Sequence, residues 1–372
     1  MSQVNKEVEK TMKIIEAQCY RLHPRGYENV NTLIELTDEN GLKGYGSTYT
    51  NYDLAFAAMK LIKPVLLEED VAPARVSERL HQMNYWLGRG GSVTHTISGV
   101  DIAMWDLFGK QLGVSVSRLT GGRYREKIRP YASLVFSDIN EIKPRVETAV
   151  QLGFKGIKMG WGTIGRLDLK NDERVVAECR LTAGDDIAIM IDAGGSEEFY
   201  EVTYKRALEM AKMMSHYSVE WYEEALRPDD IEGFIKLREH SPVKIASCEV
   251  FTRRQAFMPW IERGAVDIIQ PDATKVGGLT EALRIAWHAY DHGIDYVPHG
   301  YNTAFGLAAD LQLAAALPKA EWVEYITPSP LIEDIAVKPF YMKDGWLEIP
   351  DSPGLGIEPD MEKVKFYSGE KI

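Results

Sequence analysis

The spacing of apolar and polar positions divides the chain into two regions of different character. Alternation over Lys13 to Leu22 and Thr32 to Thr37 predicts two strands, and Asp38 to Gly41 predicts a turn into a third. Apolar residues then recur at helical spacing in two segments, Tyr52 to Leu87 and Ser98 to Leu112. Strands followed by helices, without β-α alternation, are typical of an α+β unit.

After about Arg129 the pattern becomes a series of short apolar runs, each followed by an amphipathic helical pattern. The predicted strands are Pro130 to Val135, Gly156 to Met159, Ile187 to Ile191, Glu220 to Glu223, Lys244 to Ser247, Ile268 to Gln270, Tyr296 to Val297 and Trp322 to Tyr325. Eight strands that alternate with helices predict a closed parallel (β/α) barrel.

A polar side chain lies at the end of nearly every predicted barrel strand. These residues are Lys158, Asp192, Glu223, Glu249, Asp272, His299 and Glu324. Consecutive members lie 23 to 34 residues apart, which is the length of one strand, one helix and two loops. Because active sites of such barrels form at the carboxyl ends of the strands, we expect these side chains to share one site.

The length of 372 residues exceeds the size at which one hydrophobic core keeps growing, so we expect more than one unit. The pattern predicts an α+β capping domain over residues 1–128 and a barrel over 129–340. Residues 341–372 are rich in turns and unlike the barrel repeats. We expect this last segment to pack back on the cap.

Composition and charge narrow the possible partners. A net charge of -12 argues against a nucleic-acid or anionic-membrane surface, because either needs clustered Lys and Arg. The first residues contain no apolar segment typical of a secretion signal, and no apolar run is long enough to span a membrane. The three cysteines fit neither a zinc motif nor a disulfide framework. We therefore expect a cytoplasmic protein.

Three of the strand-end residues, on three consecutive strands, are carboxylates. Asp192, Glu223 or its neighbour Glu224, and Glu249 would converge on one point and repel one another unless a cation lies among them. Oxygen-only ligands favour Mg²⁺ over Zn²⁺. Each acid taken alone could equally cap a strand or begin a helix, where negative charge is favourable. Three in succession favour the metal site, although strand alternation leaves Glu223 and Glu224 both open.

Over nearly its whole length the chain resembles the enolase superfamily, in the branch of mandelate racemase and muconate lactonizing enzyme. The segments that carry the resemblance are Gly41 to Gly46, Ser98 to Asp106, Leu119 to Gly122, Gly153 to Lys158, Glu223-Glu224 and Gln270 to Gly278. The resemblance implies an α/β, enolase-like fold, in which an N-terminal α+β cap precedes a modified (β/α)8 barrel of (β/α)7β form. It also implies one Mg²⁺ per active site.

The resemblance assigns roles to individual residues. It makes Glu223 the metal ligand, with Asp192 and Glu249, and pairs Asp272 with His299 as the general base. A carboxylate hydrogen-bonded to one imidazole nitrogen leaves the other nitrogen free to take a proton. Lys275, three residues after Asp272, is expected to support the site rather than to react.

The strand that carries Lys158 departs from the family pattern, which has Lys-x-Lys. Lys158 matches the lysine that neutralises the substrate carboxylate, but Gly160 stands where the racemases have a second base. Glu324 matches an acid that hydrogen-bonds the substrate carboxylate or enolate, and for this it would need to be protonated. The alternatives are an ordinary strand-end lysine that reaches solvent and a rim acid paired with a lysine.

The function implied is a hydro-lyase that dehydrates an aldonic or aldaric acid, through α-proton abstraction and a metal-stabilised enolate, to a 2-keto-3-deoxy acid. A racemase, epimerase or cycloisomerase of the same superfamily is the alternative, and a non-catalytic metal-binding barrel or a metal hydrolase is a further one. Polar cap residues, His23, Arg25 and Tyr49 among them, would suit a polyhydroxy substrate. We expect a small sugar-acid substrate, no nucleic-acid or membrane partner, and a homo-oligomer.

Overall fold

A computed structural model describes residues 12–24, 30–67 and 69–369. The chain begins with an antiparallel three-stranded sheet in the order β1-β2-β3. The strands are β1 (Ile14–Leu22), β2 (Asn31–Asp38) and β3 (Lys43–Tyr49). The predicted turn lies between β2 and β3, where Gly41 has a φ of 80° and Asp38 accepts the Leu42 N–H at 2.9 Å.

Four helices complete the cap. They are α1 (Tyr52–Leu66), α2 (Pro73–Met83), α3 (Gly91–Leu112) and α4 (Val116–Leu119). The segment predicted to be helical from residue 52 to residue 87 therefore contains two helices, the second of which begins at a proline. Helix α3 packs so closely on β3 that a Cβ on Gly46 would lie 2.1 Å from the Gly99 carbonyl oxygen. Only glycine fits there.

The predicted barrel is confirmed, and all eight strands form. They are β4 (Lys127–Val135), β5 (Gly156–Gly160), β6 (Ala188–Asp192), β7 (Val219–Glu223), β8 (Lys244–Ser247), β9 (Ile268–Ile269), β10 (Asp295–Tyr296) and β11 (Trp322–Ile326). Parallel pairing runs in order from β4 to β10, and β11 pairs with β4. Met190, Trp221 and Val297 belong to the apolar cluster inside the barrel, which makes it a packed core rather than a channel.

One helix follows each of the first seven barrel strands, preceded after β4 by a 3₁₀ turn over Ile139–Glu141. These helices are α5 (Ile142–Gln151), α6 (Leu169–Ala183), α7 (Tyr204–Ser215), α8 (Ile231–His240), α9 (Arg254–Glu262), α10 (Gly278–Asp291) and α11 (Ala304–Ala315). Strand β11 is followed only by the four-residue helix α12 (Pro330–Glu333). This is the (β/α)7β arrangement.

The C-terminal segment contacts both units. It contains β12 (Met342–Lys343), β13 (Trp346–Glu348) and α13 (Met361–Ser368). Strand β13 pairs antiparallel with β12 and with barrel strand β4. Helix α13 packs against β1, and the carbonyl of Tyr367 accepts the His23 N–H at 2.9 Å.

A buried carboxylate in α3 connects the cap to this segment. Asp106 is fully buried and accepts the backbone N–H groups of Tyr45 at 2.9 Å and Leu355 at 2.7 Å. The Lys110 ammonium lies 2.8 Å from the same carboxylate and 2.6 Å from Glu358. None of the helices in the described part of the chain combines the length and apolar character that a membrane span requires.

Candidate active site

The three predicted carboxylates meet at the carboxyl end of the barrel. Asp192 and Glu223 are the last residues of β6 and β7, and Glu249 lies two residues beyond β8. One oxygen from each lies within 4.8 Å of the other two, and all three residues are buried. Neighbouring parallel strands in register produce this convergence, since Asp192 pairs with Glu223 across the sheet.

The oxygens of the cluster are only partly satisfied by the protein. Gly194 donates its N–H to Asp192 Oδ1 at 2.8 Å, and the Trp221 indole N–H donates to Glu223 Oε2 at 2.9 Å. Buried Glu249 Oε2 has no hydrogen-bond partner among the described residues. Burial, with repulsion from Glu224, raises the pKa of Glu249 to about 8. The cluster therefore suits a cation with oxygen ligands.

Alternation left Glu223 and Glu224 both open as the third carboxylate, and the structure brings Glu223 to the cluster. Glu224 has a φ of 47°, and its carboxylate accepts the Ser196 hydroxyl at 2.7 Å. Burial and the Asp192 charge raise the pKa of Glu224 to about 7. Its side chain lies outside the set of converging oxygens.

Lys158 points into the barrel mouth and not to solvent. It is 3% exposed, and its ammonium lies 2.5 Å from Glu223, 3.0 Å from Glu324 and 3.6 Å from Asp192. Burial lowers the pKa of Lys158, but the charges of Glu223 and Glu324 raise it by more than burial lowers it. The pKa of Lys158 therefore lies well above its ordinary value. The amine is therefore a fixed positive charge, suited to a substrate carboxylate.

The surroundings of Glu324 favour its ionised form, whereas a hydrogen bond from Glu324 to a substrate carboxylate would need the protonated form. Burial raises its pKa, but the Lys158 and His299 charges lower it more, to about 2 overall. The Gly300 N–H donates to Glu324 Oε2 at 2.7 Å, and the Ser133 hydroxyl also hydrogen-bonds this carboxylate. The Lys158 ammonium, 3.0 Å away, favours the ionised form of Glu324, and the pair has the geometry of the alternative, an acid paired with a lysine.

His299 and Asp272 form the predicted dyad. His299 Nδ1 lies 2.8 Å from Asp272 Oδ2, and the other ring nitrogen, Nε2, lies 3.6 Å from Glu249. The N–H and hydroxyl of Thr274 donate to Asp272 Oδ1 at 2.7 and 2.6 Å. Burial lowers the pKa of His299, but Glu249 and Asp272 raise it to about 9. The imidazole is thus held in one orientation, with one nitrogen towards the carboxylates.

A cavity of about 160 Å³ lies over these groups. It is lined by Tyr49, Ser133, Leu134, Val135, Lys158, Gly160, Trp161, Asp192, Glu249, His299, Tyr301 and Glu324. Gly160 follows Lys158 by two residues on the same face of β5, as alternation predicts. Among the described residues that line the cavity, Lys158 is the only lysine and His299 is the only histidine. With glycine at position 160, β5 therefore brings one lysine to the cavity and not two.

Of the two described cap residues predicted to bind substrate, Tyr49 and His23, one lines the cavity. Tyr49, at the end of β3, lines it, and Lys275 lies over the Tyr49 ring with Nζ 4.6 Å from the ring centre. His23 is exposed and is not one of the lining residues. Its predicted role in substrate binding is therefore not supported by its position. Arg25 lies outside the described residues.

Several side chains at the site were not among the predicted residues. Trp161 donates its indole N–H to Asp192 Oδ2 at 3.2 Å. Thr274 fixes Asp272, and Tyr301 forms part of the cavity wall. Thr274 lies inside the segment from Gln270 to Gly278 that carries the resemblance, so its proximity to Asp272 was a usable signal. Trp161 and Tyr301 lie in loops, where no periodicity indicates direction.

Two family descriptions match the chain. Residues 141–364 match the family described as enolase C-terminal domain-like. Residues 26–121 match the mandelate racemase / muconate lactonizing enzyme N-terminal domain.

Individual relatives span most of the chain. D-galactarolactone cycloisomerase of Agrobacterium fabrum is 30% identical, with 88% of each chain covered. Arabinonate dehydratase of Saccharolobus solfataricus is 31% identical over 90% of this chain and 88% of that one. The crystal structure of 3,6-anhydro-D-galactonate cycloisomerase from Zobellia galactanivorans superposes with a TM-score of 0.87 at 28% identity, covering 95% of this chain and 99% of that chain. The chain is an enzyme of the mandelate racemase / muconate lactonizing enzyme family, within the enolase superfamily.

Proposed function

We propose that the protein is a Mg²⁺-dependent dehydratase of an aldonic or aldaric acid, with a 2-keto-3-deoxy acid as product. The observation that carries the proposal is the placement of His299. It is oriented by Asp272 at 2.8 Å and lines the same buried cavity as Lys158 and the carboxylates. A base, a fixed positive charge and a set of anionic oxygens are what abstraction of a proton next to a carboxylate requires.

The residues that would hold Mg²⁺ are Asp192, Glu223 and Glu249. Their oxygens converge, Glu249 Oε2 has no partner in the described part of the chain, and oxygen ligands are those that Mg²⁺ prefers. When bound, the cation supplies charge neutralisation to the substrate carboxylate as the α-proton leaves. It also opposes the positive charge on His299, which Glu249 otherwise stabilises at 3.6 Å.

The protein residues then account for the proton movements. His299 Nε2 takes the α-proton, and the electrons of the broken C–H bond form the double bond of an enolate. Lys158 stabilises the negative charge that develops on the carboxylate oxygens. The imidazolium returns its proton to the hydroxyl on the next carbon, the C–O bond breaks, and water leaves. The resulting enol tautomerises to the 2-keto-3-deoxy acid.

The second candidate is a cycloisomerase. Two relatives carry that activity in their names. The same His299 would remove the α-proton, but a ring oxygen would leave in place of a hydroxyl, so no water would be lost. The complete dyad argues against the non-catalytic alternative, since a barrel that only binds metal has no use for an oriented imidazole.

The test is a screen of aldonic acids, aldaric acids and their lactones with Mg²⁺ in heavy water, followed by proton NMR and a carbonyl reagent. We expect one or more acids to give a 2-keto-3-deoxy product. Ring opening of a lactone without water loss would establish the cycloisomerase instead. Absence of α-proton exchange with every acid would contradict both functions.

A further inference from the structure

Trp161 holds the metal ligand Asp192 at two points. Its backbone N–H donates to the Asp192 carbonyl at 2.9 Å, and its indole N–H donates to Asp192 Oδ2 at 3.2 Å. The opposite carboxylate oxygen, Oδ1, accepts the Gly194 N–H. The plane of the Asp192 carboxylate is therefore set by one donor on each oxygen.

The indole ring fits where it lies because residue 194 is a glycine. A Cβ on Gly194 would lie 2.8 Å from Trp161 Cδ2, so any larger residue at 194 would displace the ring. Gly160 leaves the space beside Asp192 free, since a Cβ there would already be 3.3 Å from the Asp192 Cβ. Trp161 itself has a φ of 64°, a conformation that bulky residues adopt rarely and at an energetic cost. The surrounding contacts offset that cost.

The same ring lines the cavity that the proposed base also lines. Trp161 follows β5 and His299 follows β10, and four strands, β6 to β9, lie between these two in the pairing order. Both residues line the cavity. A substrate that presents its α-proton to His299 therefore has its other face towards Gly160 and the Trp161 ring.

We propose that Trp161 is a positioning residue for Asp192 and, through its ring, determines the size of substrate that the site accepts. This inference rests on the proposed function, because it assumes that Asp192 binds a cation and that the cavity binds an acid. The two roles belong to different parts of the Trp161 side chain. The N–H orients the ligand, and the ring limits the space opposite His299.

The test compares two substitutions. Trp161→Phe keeps an aromatic wall but removes the N–H, and we expect it to weaken Mn²⁺ binding about tenfold in calorimetry with the substrate-free protein. It should leave the order of preference among accepted acids unchanged. Trp161→Ala should weaken Mn²⁺ binding similarly and, in addition, improve kcat/KM for bulkier acids relative to the preferred one. Circular dichroism and thermal unfolding establish that each variant is folded.

Trp86, which is 98% exposed in the cap, provides matched controls as Trp86→Phe and Trp86→Ala. Both should bind Mn²⁺ and select substrates as the wild type does. If folded Trp161→Phe protein binds Mn²⁺ as tightly as the wild type does, Trp161 does not position Asp192. If Trp161→Ala accepts the same sizes of substrate as the wild type, the ring does not limit substrate size. If the wild-type protein binds no divalent cation, the proposed function itself fails, which is a distinct result.

Discussion

The backbone N–H of Tyr49 donates a hydrogen bond of 3.2 Å to the carbonyl of Thr274. Tyr49 ends the last strand of the cap, and Thr274 lies in the loop after β9. The same threonine donates its N–H and its hydroxyl to Asp272, which orients His299. The cap is thus connected to His299, the proposed general base, by three consecutive hydrogen bonds.

We predict that Thr274→Val lowers kcat about tenfold, because a hydrogen bond to a buried carboxylate contributes roughly 1.5–3 kcal/mol and its loss frees Asp272 to move. Thr274→Ser should restore most of the rate. The matched control is Thr280→Val, since the Thr280 hydroxyl donates at 2.6 Å to another buried carboxylate, Asp101, away from the dyad. Equal rate losses in Thr274→Val and Thr280→Val would indicate a general loss of stability.

Removal of any one of the three proposed metal ligands should nearly abolish turnover. We predict this for Asp192→Asn, Glu223→Gln and Glu249→Gln, because each leaves two carboxylates to bind a divalent cation. Exhaustive chelation should have the same effect on the wild type, and added Mg²⁺ should reverse it. Full activity after chelation, verified by metal analysis, would exclude a metal-dependent reaction.

A single base should act on one face of the substrate. We predict that His299→Asn removes both α-proton exchange and dehydration, whereas Asp272→Asn retains a small activity because the imidazole remains in a poorer orientation. Racemisation of the α-carbon should be inefficient, since Gly160 supplies no second base. Deuterium exchange measured on both α-epimers of an accepted acid tests this. Comparable exchange rates from the two epimers, with exchange from one epimer still present in His299→Asn protein, would demonstrate a second base. Lys158 carries the amine that could act as that base.

Metal binding should strengthen as pH rises. The pKa of Glu249 in the folded, metal-free protein is raised to about 8, so below that pH a proton must leave before the carboxylate can bind a cation. Burial and the Glu223 charge raise the pKa of Asp192 as well, so we expect affinity for Mg²⁺ to increase with pH across the neutral range. Calorimetry across this range should also detect proton release.

Glu224→Gln provides the control for that measurement. After burial, the Glu224 charge is the largest cause of the raised pKa of Glu249, so its removal should shift the whole dependence to lower pH. An affinity that is constant from pH 6.5 to 9 would show that Glu249 does not carry the competing proton.

Stability should depend strongly on Asp106. We predict that Asp106→Ala lowers the free energy of unfolding by about 3–5 kcal/mol, because it leaves the Lys110 charge and two N–H donors without their buried partner. The surface pair of Asp53 with Arg21, in which the Asp53 side chain is 75% exposed, is the contrast. Asp53→Ala should change stability by less than about 1 kcal/mol. Urea unfolding measures both.

The elements that were predicted are those governed by local patterns. Strand β6 illustrates this, because Met190 and Asp192 alternate with apolar residues that face the helices, and alternation alone places Asp192 in the barrel mouth. The same reasoning gave all eight barrel strands. It did not divide the helical segment from residue 52 to residue 87 into α1 and α2, because both halves have the same spacing of apolar residues.

The parts that were not predicted depend on contacts between distant segments. The partner of Glu324 is one example, because the Lys158 ammonium reaches it from the other side of β4. Trp161 reaches Asp192 only because its backbone adopts a positive φ and Gly194 leaves room for the ring. No pattern in a single sequence encodes such pairings.

The packing of α13 on β1 has a consequence for how the protein is made. About 340 residues separate the two elements, so at roughly 5–20 residues per second the ribosome completes α13 about 20–70 s after β1 emerges. Throughout that interval the first strand lacks the cover that α13 provides in the finished fold. The nascent cap must therefore remain soluble through the synthesis of the whole barrel, because the helix that covers its first strand is made after the barrel.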